Sequence, residues 1–165
     1  MSHRNADTLN SIRLTAFMIE VREAEQNAYS AMLSVINQHN AAVRWTSEAL
    51  SPETEALWAM NLAHRADLGR SEVWRYANEA SDVALQVARI EKYMIQSELD
   101  LWQSDIDCAY ALAKDAQSYF CAARRIAAEV RSWVDARLVP IARLYGPDCD
   151  VAYLWERFSH FLPSA

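Results

Sequence analysis

The residues with the spacing best suited to chemistry are three carboxylates, Glu91, Glu98 and Asp105, set seven residues apart. On one continuous helix they would share a face. A carboxylate-lined face inside a helical bundle is how ferritin-like metal sites are built. Those sites also draw on Glu-x-x-His pairs, because residues three apart chelate from the same side. This sequence contains no Glu-x-x-His. Of its four histidines, His3, His39, His64 and His160, only His160 follows a carboxylate by one turn, at Glu156. Residues seven apart also stand about 10 Å apart along a helix, too far to hold one ion. The apolar stripe Val83, Val87, Ile90, Met94, Leu101 runs beside the carboxylates. A solvated flank of a long helix is therefore the preferred reading, and a metal-binding bundle is the alternative. A site shared by His39 and His64, at comparable heights on two antiparallel helices, is weaker still.

Other chemistry finds less support. Two isolated glycines cannot form a phosphate-cradling loop. Cys108, Cys121 and Cys149 are odd in number and lack CxxC spacing, which argues against a disulfide framework or zinc knuckle. A pairing of Cys149 with His160 has no motif behind it. No catalytic residue, cofactor or small-molecule substrate is expected.

Charge and aromatic residues offer contact surfaces instead. Arg124, Arg125, Arg131, Arg137 and Arg143 make 124–143 basic, while 91–115 is acidic. Such segregation can steer an acidic partner, although a solvated face with local ion pairs is the commoner outcome. Contact with nucleic acid through the 124–143 arginines is a second alternative, weakened by a net charge of −6. Six tryptophans are many for 165 residues. Trp58 and Trp74 lie off the main apolar stripe and, if exposed, mark a second contact surface. Trp155, Phe158 and Phe161 form the apolar side of a short C-terminal helix that either closes the molecule or docks on a partner.

The elements that position these residues are helices. Only two glycines and four prolines occur in 165 residues. Hairpin turns depend on positive φ and hence on glycine, whereas helix interiors avoid both residue types. Leu14, Phe17, Val21, Ala24, Ala28, Ala31 and Val35, continuing to Gln38, Ala42 and Trp45, follow a 3–4 repeat. A second such series runs through Ala56, Ala59, Ala63, Ala66, Arg70, Val73, Ala77, Ala80, Ala84 and Val87. Its phase passes straight through Gly69, so one helix is expected there. Ser51-Pro52 starts it, with serine as cap and proline at the first helical position. Between 71 and 139 neither glycine nor proline occurs. A hidden turn is placed at Gln103–Asp107, where Ser104 and Asp107 resemble a capping box.

The expected fold is all-α: an antiparallel bundle of three long helices with a short C-terminal helix, at about 7–48, 52–102, 104–138 and 149–162, in a single domain. An extended helical rod or coiled coil completed by oligomerisation is the alternative. Pro140 is expected to end or kink the third helix near Val139. Gly146-Pro147 reads as a turn, and Asp148 or Asp150 as the cap of the last helix. No signal peptide, membrane span or disulfide is anticipated, which points to the cytoplasm. The functional expectation is a non-enzymatic protein–protein interaction protein, such as an adaptor, assembly subunit, chaperone or neutralising partner, engaging a protein or a second copy of itself.

Overall fold

A computed structural model of the chain describes residues 2–45 and 51–163, with side chains from residue 9 onward. The described residues form three long helices, a short fourth and a single 3₁₀ turn, without strands. These are α1 (Ser2–Arg44), α2 (Pro52–Lys92), α3 (Gln96–Arg143), α4 (Val151–Phe158) and the 3₁₀ turn Ser159–Phe161. Contacts divide the chain into two compact units. Unit 1 comprises Met1–Ser30 and Glu72–Cys121, and unit 2 comprises Ala31–Ser71 and Ala122–Ala165. Each long helix contributes one segment to each unit.

In unit 1 the 3–4 spacing becomes a core. Leu14, Val21, Ala24 and Ala28 of α1 are at most 3% exposed. They are joined by Val73, Ala77, Ala80 and Val87 of α2 and by Ile106, Ala109 and Ala116 of α3, all at most 1% exposed. The polar contacts fix the directions. Gln117 Nε2 donates to the Ala77 carbonyl (3.3 Å) and to Ser81 Oγ (2.8 Å), while Tyr110 donates to Glu91. Positions rising on α2 thus meet positions falling on α3, so the two segments are antiparallel. The same holds for α1 and α2, where Phe17 shares a groove with Gln86 and Asn27 shares one with Glu79.

In unit 2, Gly69 explains itself. A Cβ built on it would lie 2.7 Å from Val35 Cγ2 and 3.6 Å from the Ala31 carbonyl. Glycine here lets α1 and α2 approach closely. Arg70, expected on the stripe, is half-buried beside it and pairs with Asp67 at 3.1 Å. The helix is continuous through Gly69, as its unbroken phase implies. Ser51 caps α2: the Thr54 amide donates to its hydroxyl at 3.3 Å. Asp150 caps α4, accepting from the Tyr153 amide at 3.0 Å. Gly146 turns the chain with φ +156°, and its Cβ would lie 3.3 Å from Cys149 Sγ.

Several boundaries differ from expectation. The turn between α2 and α3 is Tyr93–Ile95, not Gln103–Asp107. The apolar phase records the reason. Positions 80, 87 and 94 are buried, but Leu101, next in that series, is 81% exposed. The series resumes out of phase at Ile106, Ala109 and Ala113. Ser104 and Asp107 sit inside α3, where Asp107 accepts from Gln103 Nε2 at 2.9 Å. In addition, α3 continues through Pro140 to Arg143. Proline removes one amide donor, but Leu138, Ile141 and Ala142 are at most 5% exposed, and their packing carries the helix onward. The last helix is shorter than 149–162, because Ser159–Phe161 tightens into the 3₁₀ turn. Helix α1 ends at Arg44, and the expected extension to 48 falls partly outside the described residues.

Candidate partner-binding surfaces

The three carboxylates do not share a helix. Glu91 closes α2, whereas Glu98 and Asp105 belong to α3 beyond the turn. Glu91 accepts the hydrogen bond from Tyr110 across the two helices. Burial, then the hydrogen bond and charge of Glu91, push the Tyr110 hydroxyl well above its ordinary value. Glu156 and His160 are exposed, and the His160 ring lies 4.1 Å from that of Phe161. Among the described residues no three His, Cys, Asp or Glu side chains gather as a metal site. His39 and His64 have separate partners: His39 Nε2 lies 3.6 Å from Glu129 Oε2, and His64 Nε2 lies 2.5 Å from the Pro163 carbonyl.

The Glu91–Tyr110 contact has two counterparts that sequence reading missed. Tyr119 donates to Glu25 at 2.8 Å, joining α3 to α1 in unit 1. Tyr145 donates to Glu53 at 3.2 Å, joining the turn after α3 to α2 in unit 2. The hydrogen bond to Glu25, reinforced by burial, pushes Tyr119 up to about 12. Burial, then the charge of Glu53, raises Tyr145. Nothing local in sequence couples residues 19 to 94 positions apart, so these links were not legible.

Arginines and tryptophans meet in unit 2. The Arg137 guanidinium lies 4.4 Å from the Trp133 ring centre and 5.0 Å from that of Trp45. Trp58 is half-buried, its ring 4.8 Å from Trp45. It is part of this stack and also lines the groove beside Phe161. Arg131 Nε contacts both oxygens of Asp135 at 3.1 Å. Its guanidinium lies 3.9 Å from the Trp155 ring, whose Nε1 donates to Asp135 at 3.0 Å. Trp155 thereby fastens α4 to α3, and Phe158 is 6% exposed in the same seam. These internal engagements absorb Arg131 and Arg137, two of the five arginines of the basic stretch. Arg124, Arg125 and Arg143 are exposed.

Other aromatic and aliphatic side chains face outward. Trp74 is 54% exposed on α2, and Phe161 is 63% exposed. Phe161 lines a groove with Leu57, Trp58, Arg65 and Pro163. In unit 1, Ile12, Ile19, Leu85, Tyr93, Ile95 and Leu101 are all more than half exposed. No helix among the described residues is long and apolar enough to cross a membrane. The chain matches no protein-family model, no curated protein and no solved structure.

Proposed function

We propose that the chain is a non-enzymatic protein–protein interaction protein that works by contact along its helices. The observation that carries this reading is the set of large apolar side chains held outward on regular helices, with Trp74 and Leu85 on α2 more than half exposed. Tryptophan is enriched at interface hot spots. The 3–4 repeats are buried between the helices of the chain itself, so association would use the outward side chains and not those stripes. Cys108, Cys121 and Cys149 are free thiols, which fits a reducing cytoplasmic setting.

The test is affinity capture from the native host with the intact chain and with Trp74→Lys plus Leu85→Lys. The expected result is a stoichiometric protein, or a second copy, retained by the intact chain and reduced at least about tenfold by the double substitution. A chain that captures nothing and is monomeric by light scattering removes the reading.

A further inference from the structure

Along the α1–α2 face of unit 1, two grooves follow one another with opposite charge. The first, about 410 Å³, is lined by Arg13 of α1 and Arg89 of α2, with Phe17, Ile90 and Tyr93. The second, about 350 Å³, is lined by Glu20 and Glu23 of α1 and by Glu79 and Asp82 of α2. The offset is the same on both helices: Arg13 precedes Glu20 by seven residues, and Asp82 precedes Arg89 by seven. Seven residues amount to about 10 Å of helix. Because the two segments are antiparallel, the basic ends coincide and the acidic ends coincide.

None of these six charges has an ion-pair or side-chain hydrogen-bond partner among the described residues. Exposed apolar residues lie on the same helix segments, outside the lining of either groove. Ile12 and Ile19, 61% and 54% exposed, flank Ala16 on α1. Leu85, 52% exposed, lies midway between Asp82 and Arg89 on α2.

The geometry points to a second copy of this chain as the occupant of this face, related by a two-fold axis near Ala16 and Leu85. This inference rests on the interaction-protein reading and names its partner. A two-fold interface is self-complementary: where residue i meets j, j meets i. Rotation about that axis exchanges the two grooves. Arg13 and Arg89 of each copy then face the Glu20 and Asp82 level of the other, and Ile12 faces Ile19. Exposed ion pairs contribute little each. Their role is to fix register and orientation, while Phe17, Ile90 and Tyr93 of the first groove supply apolar burial. An unrelated acidic or basic peptide would satisfy only one of the two grooves.

Sedimentation equilibrium tests this on the full chain. The wild type is expected to be dimeric at about 0.05 M salt and to dissociate more readily at about 0.5 M, where exposed charges are screened. Arg13→Glu with Arg89→Glu, and separately Glu20→Arg with Asp82→Arg, are each expected to weaken the dimer at least about tenfold. An equimolar mixture of the two variants is expected to recover a heterodimer, since each reversed groove then meets its complement. Helical circular dichroism, together with that recovery, separates loss of contact from loss of folding. A wild type that stays monomeric overturns the inference while leaving capture of a different protein open to the interaction reading. Variants that dimerise as well as the wild type, or folded variants that do not recover on mixing, overturn this face and leave self-association elsewhere intact.

Discussion

Gly69 shows how one residue sets the distance between two helices. Glycine inside a helix costs about 1 kcal/mol relative to alanine, so Gly69→Ala on an isolated helix would be stabilising. Here the added methyl meets Val35 at 2.7 Å, and Val35 is fully buried with a stiff β-branched side chain. Overpacking of this kind typically costs about 1–3 kcal/mol. Gly69→Ala is therefore expected to lower the thermal midpoint. Combining it with Val35→Ala is expected to cost less than the sum of the two singles. An additive double-mutant cycle in chemical denaturation would show that the close approach is not the reason for glycine.

The tyrosine–carboxylate contacts make a second prediction at this scale. A neutral hydroxyl donates to each carboxylate, so folding raises the tyrosine above its unfolded value of 10.0. A folded value above the unfolded one means stability that is complete below pH 10 and lost as pH rises toward about 12 for Tyr119. Unfolding midpoints followed from pH 9 upward are expected to fall across that window. Tyr119→Phe is expected to flatten the fall while costing about 0.5–1.5 kcal/mol at neutral pH, as for loss of one hydrogen bond. An unchanged alkaline slope in the variant would assign the pH dependence elsewhere.

At the scale of elements, the position of the α2–α3 turn decides which residues are core. With the turn at Tyr93–Ile95, Leu101 is exposed and Ile106 fully buried. Leu101→Lys is expected to change stability by no more than about 0.5 kcal/mol. Ile106→Ala is expected to cost about 2–5 kcal/mol, as for other large-to-small core changes. A turn at Ser104 would not give this contrast, so the pair of denaturation curves discriminates directly.

The same element shows why part of the fold was readable and part was not. The start of α2 has a serine cap followed by proline, and the start of α4 has an aspartate cap. Both signals are local, and both mark real boundaries. The α2–α3 turn has no glycine, proline or cap of that kind. Its only trace is the loss of phase between Met94 and Ile106, which the Ser104–Asp107 pattern concealed. Pro140 does not end α3, because the burial of Leu138, Ile141 and Ala142 outweighs the lost hydrogen bond. The candidate surfaces divide in the same way. Trp74 and Trp58 both lie off the apolar stripe, yet Trp74 is 54% exposed and Trp58 half-buried. The Trp58 ring meets that of Trp45, a residue 13 positions away just beyond the end of α1, and single-helix patterning does not register such a neighbour.

For the whole molecule, charge divides with the two units. Unit 1 holds 13 acidic and 7 basic residues, a net of −6, while unit 2 holds 9 of each. The entire net charge of the chain thus belongs to unit 1, although Arg13 and Arg89 form a basic groove within it. In the proposed two-fold pairing, an acidic unit bearing one basic groove would repel copies of itself in most orientations and accept the one that brings opposite grooves together, a source of specificity more than affinity. The 124–143 arginines, by contrast, sit in a unit of balanced charge, with Arg131 and Arg137 engaged by Asp135 and by tryptophan rings. Replacing exposed Arg124 and Arg125 by glutamine is expected to leave both folding and self-association unchanged, as read by circular dichroism and light scattering.

The most direct measurement is the mass of the intact chain in solution, by sedimentation velocity over about a hundredfold range of concentration, read beside affinity capture from the host. The account predicts that the 18.8 kDa chain sediments increasingly as a larger species as concentration rises, or binds a stoichiometric protein when one is offered. A constant monomer across the whole range that also retains no protein from the host would contradict it.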